Sequence, residues 1–326
     1  MQTSNNANRF GFRIVGGTHN ERRLVDWLAA FVAYSQCDSR TQLERESYLS
    51  AFCFSDDFRT HLDATGSTKG YSGECWALWL WFDIDRDDLE LARRDAVRLS
   101  YALCDRFGLD ADELLAFFSG SKGFHIGMPM TVCGCPGPGR HFAKTCRRFA
   151  ERVAEVAGVA IDSGVYDVVR AFRAPNSKHP KTGLHKRRFE LDAVEKLKLQ
   201  RLCEMSQTPE PFELPNAPKQ NQQAVDDWLA ATKLVEQETV VATEKRTTLH
   251  DGRTLNRSTF DFIREGATTG DRHRLLFSAA ANLAEFGCGF DLAFALLGES
   301  ALDSGLSPSD VRRQIQCGLE HQRGTS

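Results

Sequence analysis

The apolar run CWALWLWFDID ends in two acids, Asp83 and Asp85. Alternate residues of a β-strand project from one face, so a strand ending here sets the two carboxylates side by side. Such a pair can hold two divalent cations about 3.5–4 Å apart. That arrangement serves phosphoryl transfer: one ion acidifies an attacking hydroxyl, and both offset charge building on phosphorus. Hard oxygen ligands select Mg2+ or Mn2+ over zinc. The plainer alternative is two solvated acids that, with Asp87 and Asp88, open the following helix.

Two further segments bear on that choice. Residues 119–125 read SGSKGFH. Gly120 and Gly123 let backbone approach a ligand closely, and Ser119, Ser121, Lys122 and His125 supply donors for phosphate oxygens. The spacing is not that of a Walker loop, and a glycine-rich hairpin with an incidental lysine is the alternative. Further on, Asp162 is followed by Tyr166, Arg170, Arg173, Asn176, Ser177, Lys178 and His179. From Arg170 to Arg188 there are seven Lys or Arg and no acid, in a chain of formal net charge −3. A nucleic-acid surface would therefore be local, and this run is the candidate for it. Cys133, Cys135, His141 and Cys146 could in principle hold zinc, but CxC is poor spacing. They read as a loop entering a helix, and no stoichiometric zinc is expected.

An acid pair, then SGSKGFH, then a single acid with spaced arginines resembles the archaeo-eukaryotic primase superfamily. The string IDSGVYDVVRAFRAPNSKHPKTGLHK is similar to the third-motif region of primases carried by plasmids, phages and integrated elements. The resemblance spans roughly residues 70–190. It implies that Asp83, Asp85 and Asp162 ligate the two Mg2+ or Mn2+ ions. It implies that Ser119, Ser121, Lys122 and His125 bind the phosphates of the incoming nucleotide. Arg170 and Arg173 would contact phosphates or support the carboxylates, with Lys178 and His179 as further nucleotide contacts. The implied activity is primer synthesis on single-stranded DNA from nucleoside triphosphates, with a replicative helicase as a candidate partner. Two rivals stand beside it: an end-joining repair polymerase of the same superfamily, and a non-catalytic replication initiator that binds DNA.

The elements that would position these residues follow from periodicity. Apolar spacing predicts a helix over 20–34, a loop over 67–73, and a buried strand ending at Asp85. A helix is predicted from Leu89 to Phe107, stopped by Gly108, and then a hairpin formed by ELLAFFSG and FHIGMPM. A basic amphipathic helix over 141–157 ends at Gly158, and the stretch from Val159 starts as a strand. Residues 206–223, rich in proline and polar residues, read as a linker. Helical patterns follow, notably 271–286 and 308–320. The expectation is an α/β (α+β) core with an open mixed sheet of the primase/RRM-like type, plus a C-terminal helical bundle. Its parts would be a catalytic domain over 1–205, a linker and connecting helix over 206–256, and a small helical domain over 257–326.

The length of 326 residues suits one large and one small domain. With 41% hydrophobic and 26% charged residues the chain is ordinary for a globular protein, and no apolar run is long enough for a membrane span. MQTSNNANRF lacks the apolar stretch of a signal peptide, and the 10 cysteines read as free thiols, so a cytoplasmic location is expected.

Overall fold

The computed structural model describes residues 10–248, 255–268 and 270–323. Its strands are β1 (Phe10–Val15), β2 (Arg23–Asp26), β3 (Ser47–Ser50), β4 (Cys53–Phe54), β5 (Cys75–Trp76), β6 (Trp79–Asp85), β7 (Leu115–Phe118), β8 (Gly123–Pro129), β9 (Ala171–Arg173) and β10 (Arg187–Phe189). Its helices are α1 (Trp27–Ser35), α2 (Asp56–Thr65), α3 (Leu89–Phe107), α4 (Phe142–Ala157), α5 (Leu191–Lys196), α6 (Leu199–Met205), α7 (Gln222–Thr248), α8 (Arg257–Glu265), α9 (Arg272–Glu285), α10 (Phe290–Asp303) and α11 (Pro308–Arg323). The chain divides into two compact units, residues 1–238 and 239–326.

The first unit holds two open sheets. One has six strands, in the order β5-β4-β1-β3-β9 with β2 also on β1; the other runs β10-β7-β8-β6. Every pairing among the described strands is antiparallel. The α/β class expected from the sequence holds, with the strands shared between two sheets.

The four-stranded sheet forms where the pattern was plainest. In β6 the residues Trp79 to Phe82 are buried, and α3 and α4 supply further apolar cover. Helix α3 starts at Asp88, whose side chain accepts from the amides of Glu90 and Leu91, and it stops at Gly108 in the left-handed region. The expected hairpin forms as β7–β8, with Ala116 opposite Ile126 and Phe118 opposite Phe124.

Three sequence expectations are revised. The helix expected over 20–34 begins only at Trp27. Residues 23–26 instead form β2, which covers β1, and Asp26 caps the helix by accepting from the amide of Ala29. No strand starts at Val159: residues 159–162 belong to no strand, Asp162 is extended, and a 3-10 turn covers Ser163–Tyr166. The stretch 207–221 has no regular structure, as a linker would, yet it is held down. Phe212 is buried in the core, its amide donates to the carbonyl of Ser35, and its own carbonyl accepts from Gln36. Ala224, Trp228 and Ala231 of α7 then add to the same core, and Asp227 pairs with Arg106 at 2.7 Å.

The second unit contains α8–α11 around Phe262, Leu276, Leu283, Leu297, Val311 and Ile315, all buried. This is the helical bundle expected from the sequence. No helix among the described residues is long and apolar enough to cross a membrane.

Candidate active site

In β6, Asp83 lies opposite His125 and Asp85 opposite Gly123, so the end of β6 and the start of β8 place the acids beside the SGSKG turn. Side chains at i and i+2 share a face, and Asp83 and Asp85 do line one open cleft. The turn is tightly built. Ser119 Oγ accepts from the amides of Gly123 (3.2 Å) and Ser121 (3.4 Å), and the amide of Ser119 reaches the carbonyl of Gly123 (2.9 Å). Gly123 has no room for a side chain, since a Cβ would sit 2.2 Å from Asp85 Oδ1. Gly120 has a φ of +83° and faces the carbonyl of Leu184.

The opposite wall comes from the six-stranded sheet and the chain leading into it. Tyr48 of β3, Arg170, and Ala171, Phe172 and Arg173 of β9 line the cleft, with His179 at its rim. Asp162 is not among the lining residues, but the backbone holds it beside them: its amide donates to the carbonyl of Asp83 at 2.8 Å. One of its oxygens accepts from the amide of Gly164, and the other lies 4.0 Å from Arg170. Tyr166, four residues on, donates to the carbonyl of Trp81 at 2.7 Å. The turn 163–166 thus hangs from β6 by its backbone at one end and a phenol at the other.

The electrostatics follow from burial. Asp83 is largely buried beside Asp85 and Asp162, and loss of solvation, with repulsion from the other two acids, raises its pKa to about 7. His125 Nε2 lies 3.4 Å from Asp83 Oδ1, but without the alignment of a hydrogen bond, and that oxygen has no hydrogen-bond partner. Burial, with Lys186 and Arg173 nearby, holds the His125 pKa well below its ordinary value, so the ring is neutral. It packs against Phe172 with ring centroids 4.4 Å apart. His125 therefore lines the cleft beside Asp83 without bonding to it, and not as a cation. Lys122 Nζ sits 3.2 Å from Asp85, which raises the lysine's pKa.

A buried carboxylate oxygen without a partner, on a face shared with a second carboxylate, suits a hard divalent cation. Among the described residues no three His, Cys, Asp or Glu side chains are gathered closely enough to enclose an ion by themselves. Mg2+ commonly rests on one or two carboxylates and completes its shell with phosphate oxygens and water, and this cleft fits that mode.

Of the other residues singled out in the sequence, Ser119, Ser121, Lys122, Arg170, Arg173 and His179 line the cleft. His179 Nδ1 accepts from the amides of Lys181 and Thr182, which leaves the proton on Nε2. Lys178 is not among the lining residues; its ammonium lies 2.7 Å from Glu44. The basic run 170–188 is less of a surface than its composition suggests. Lys186 is buried, Arg187 is buried and pairs with Glu210, and Arg188 pairs with Glu190. Cys133 and Cys146 are buried thiols whose pKa burial raises, Cys133 to about 12, whereas Cys135 and His141 are exposed.

Two features escaped the sequence reading. Tyr48, with a pKa pushed to about 12 by burial and its bond to Glu46, lies under the Arg173 guanidinium, 5.1 Å from the ring centroid. It belongs to SYLS, an unremarked short strand. Lys186 is buried behind the cleft floor among Trp81, Phe117 and Phe172, 4.2 Å from the Phe172 centroid, and donates to the carbonyl of Arg173 at 2.8 Å. Burial holds its pKa well below the usual lysine value. In HKRRFE nothing in the sequence marks it out from the basic residues beside it.

No family model matches the chain, and no curated protein matches it in sequence. Among solved structures, one described as "Crystal structure of primase RepB'" aligns over 98% of this chain and 94% of its own, at 14% identity and a TM-score of 0.36. A likeness that distant bears no weight, and the functional reading rests on the cleft.

Proposed function

We propose that the protein is a DNA primase of the primase-polymerase kind, joining nucleotides on a single-stranded DNA template by metal-dependent nucleotidyl transfer. One observation supports the reading: three segments remote in sequence, 83–85, 119–125 and 170–179, line one cleft with acids on one wall and arginines on the other, and Asp162 is bonded through its amide to the carbonyl of Asp83 beside it. Asp83 and Asp85, with Asp162 beside them, would hold Mg2+ or Mn2+, which when bound acidifies the attacking 3′-hydroxyl and offsets charge on phosphorus. Ser121 and Lys122 present donors from the turn, and Arg170, Arg173 and His179 present them from the facing wall, so a triphosphate between them meets donors on both sides. The 3′-oxygen bonds to the α-phosphorus, the bond to the β-phosphate bridge breaks, and pyrophosphate leaves. A replicative helicase would be the natural partner, and the C-terminal helices, which carry none of the three segments, are assigned to holding the template or first nucleotide.

The test is de novo synthesis on a circular single-stranded template with labelled nucleotides, Mg2+ or Mn2+, and no primer. Products that vanish in Asp83→Ala and Asp85→Ala are expected. Synthesis only from a supplied primer across a gap would favour the end-joining type, and DNA binding without incorporation would leave an initiator.

A further inference from the structure

The two acids of the cleft and Asp162 beside them do not stand alone. Asp85 is met by the ammonium of Lys122 and Asp162 by the guanidinium of Arg170. The Lys122 pair differs from the rest of the turn in one respect. Its backbone is fixed, because its carbonyl accepts from the amide of Arg86 at 3.2 Å and the turn is closed by Ser119. Its side chain is 62% exposed, so the ammonium is free to swing on a rigid base. Asp85 itself is only about one-third exposed, at 32%. Both residues line the cleft, so the pair lies on its wall.

We infer that Lys122 is an exchangeable counter-ion: it occupies Asp85 while the cleft is empty and transfers to the nucleotide's phosphates when a divalent cation takes Asp85. This rests on the proposed function above. A divalent cation arriving alone must displace the ammonium from Asp85 and brings it no new anion in exchange. A nucleoside triphosphate arriving with the cation gives the lysine a new anion at the same moment. Metal and triphosphate are then coupled through one side chain, each favouring the other's binding, as linkage requires. The cleft accordingly discriminates against the metal ion by itself. The position of the lysine explains why a phosphate-binding cation stands against an acid instead of projecting into solvent.

The experiment measures Mn2+ binding to the full chain by the loss of the free-ion paramagnetic resonance signal, without nucleotide. An exposed ion pair is weak, so Lys122→Met is expected to tighten Mn2+ by about three- to fivefold. Asp85→Asn should weaken Mn2+ strongly. Lys181→Met removes the same charge from a nearby turn that does not touch Asp85, and should change Mn2+ affinity less than twofold. With the Mn2+ complex of a nucleoside triphosphate as probe, the order reverses, and Lys122→Met should bind several-fold more weakly than the native chain. Unchanged or weaker Mn2+ binding by Lys122→Met, or equal tightening by Lys181→Met, overturns the exchange while leaving an Asp85-dependent metal site intact. No Asp85-dependent Mn2+ binding in any protein, with or without triphosphate, would sink the metal-centre reading and the exchange with it.

Discussion

The two walls of the cleft are built in opposite ways. The acidic wall is local: Asp83 and Asp85 end β6, and the turn that faces them is the start of β8, its immediate ladder partner. The basic wall is assembled from afar. Arg173 lies in β9, which pairs with β3 from the first fifty residues, and it stacks on Tyr48. The segment after it is held by Asn176, at a φ of +57°, whose amide group bonds to the carbonyls of Tyr34 and Glu210 and accepts from the amide of Glu210. One wall needs a hairpin, whereas the other needs the ends of the unit to have met. Damage to the first should abolish chemistry and spare the fold, whereas damage to the supports of the second should cost the fold as well as nucleotide binding.

The largest contrast is expected from the acids. Asp83→Asn and Asp85→Asn should each lower nucleotide incorporation by about a thousandfold or more, since charge on phosphorus goes unmet, with no fall in melting temperature. A parallel loss of stability in both variants would break the distinction between walls.

Truncation attacks the other side. A chain ending near residue 204 lacks Phe212, Trp228 and the Asp227 partner of Arg106. Removing one large buried aromatic commonly costs about 3–5 kcal/mol, so this fragment should not fold. A chain ending at Glu238 keeps all three and should fold and extend a supplied primer, with de novo priming reduced far more than extension. Circular dichroism melts and the two assays, run at one salt concentration, decide the point.

A subtler effect separates charge from structure on the acidic wall. The pKa of Asp83 is raised from 3.8 to about 7 in the fold. Its protonated form fits the buried site, so that contribution is complete below about pH 4 and is lost as pH rises through about 7. In metal-free protein, Asp83→Asn should match the native stability near pH 4 and exceed it above pH 8 by on the order of 2–4 kcal/mol. Urea melts at the two pH values measure this, and a pH-independent difference would refute the buried-acid assignment.

The smallest effect belongs to Lys178. Its ammonium meets Glu44 at the surface, and such pairs contribute about 0–1 kcal/mol. Lys178→Met should shift the Michaelis constant for nucleotide less than twofold, whereas Arg173→Met should raise it severalfold. Equal shifts would return Lys178 to the cleft.

The same division decides what the sequence could disclose. Asp83, Asp85 and the SGSKG turn were legible because strand alternation and a glycine pair act over a few residues. Helix α3 was legible from Asp88 to Gly108 because both of its stops are local. Asp162 was found as an acid but misplaced on a strand, because its position comes from one hydrogen bond to a strand eighty residues earlier. Tyr48 and Lys186 carried no signal: their roles arise only when β3, β9 and β10 close on β6. The stretch 207–221 looked like a linker because its composition is polar, and one buried phenylalanine outweighs that composition.

The turn that delivers Asp162 has a second consequence. Strand β6 is the last of its sheet, and its outer edge carries the carbonyls of Trp81, Asp83 and Asp85. Each is occupied, by the Tyr166 phenol, the Asp162 amide and the Arg86 guanidinium respectively. An apolar end strand with vacant carbonyls is a template on which another chain can add its own strand. Residues 160–166 therefore act as a stopper as well as a carrier of a carboxylate. Until they dock, a newly made chain presents the WLWF segment as an adhesive edge, some eighty residues before its stopper has been synthesised. Lesions such as Tyr166→Ala would then surface first as insoluble protein at high expression, before any defect in catalysis could be measured.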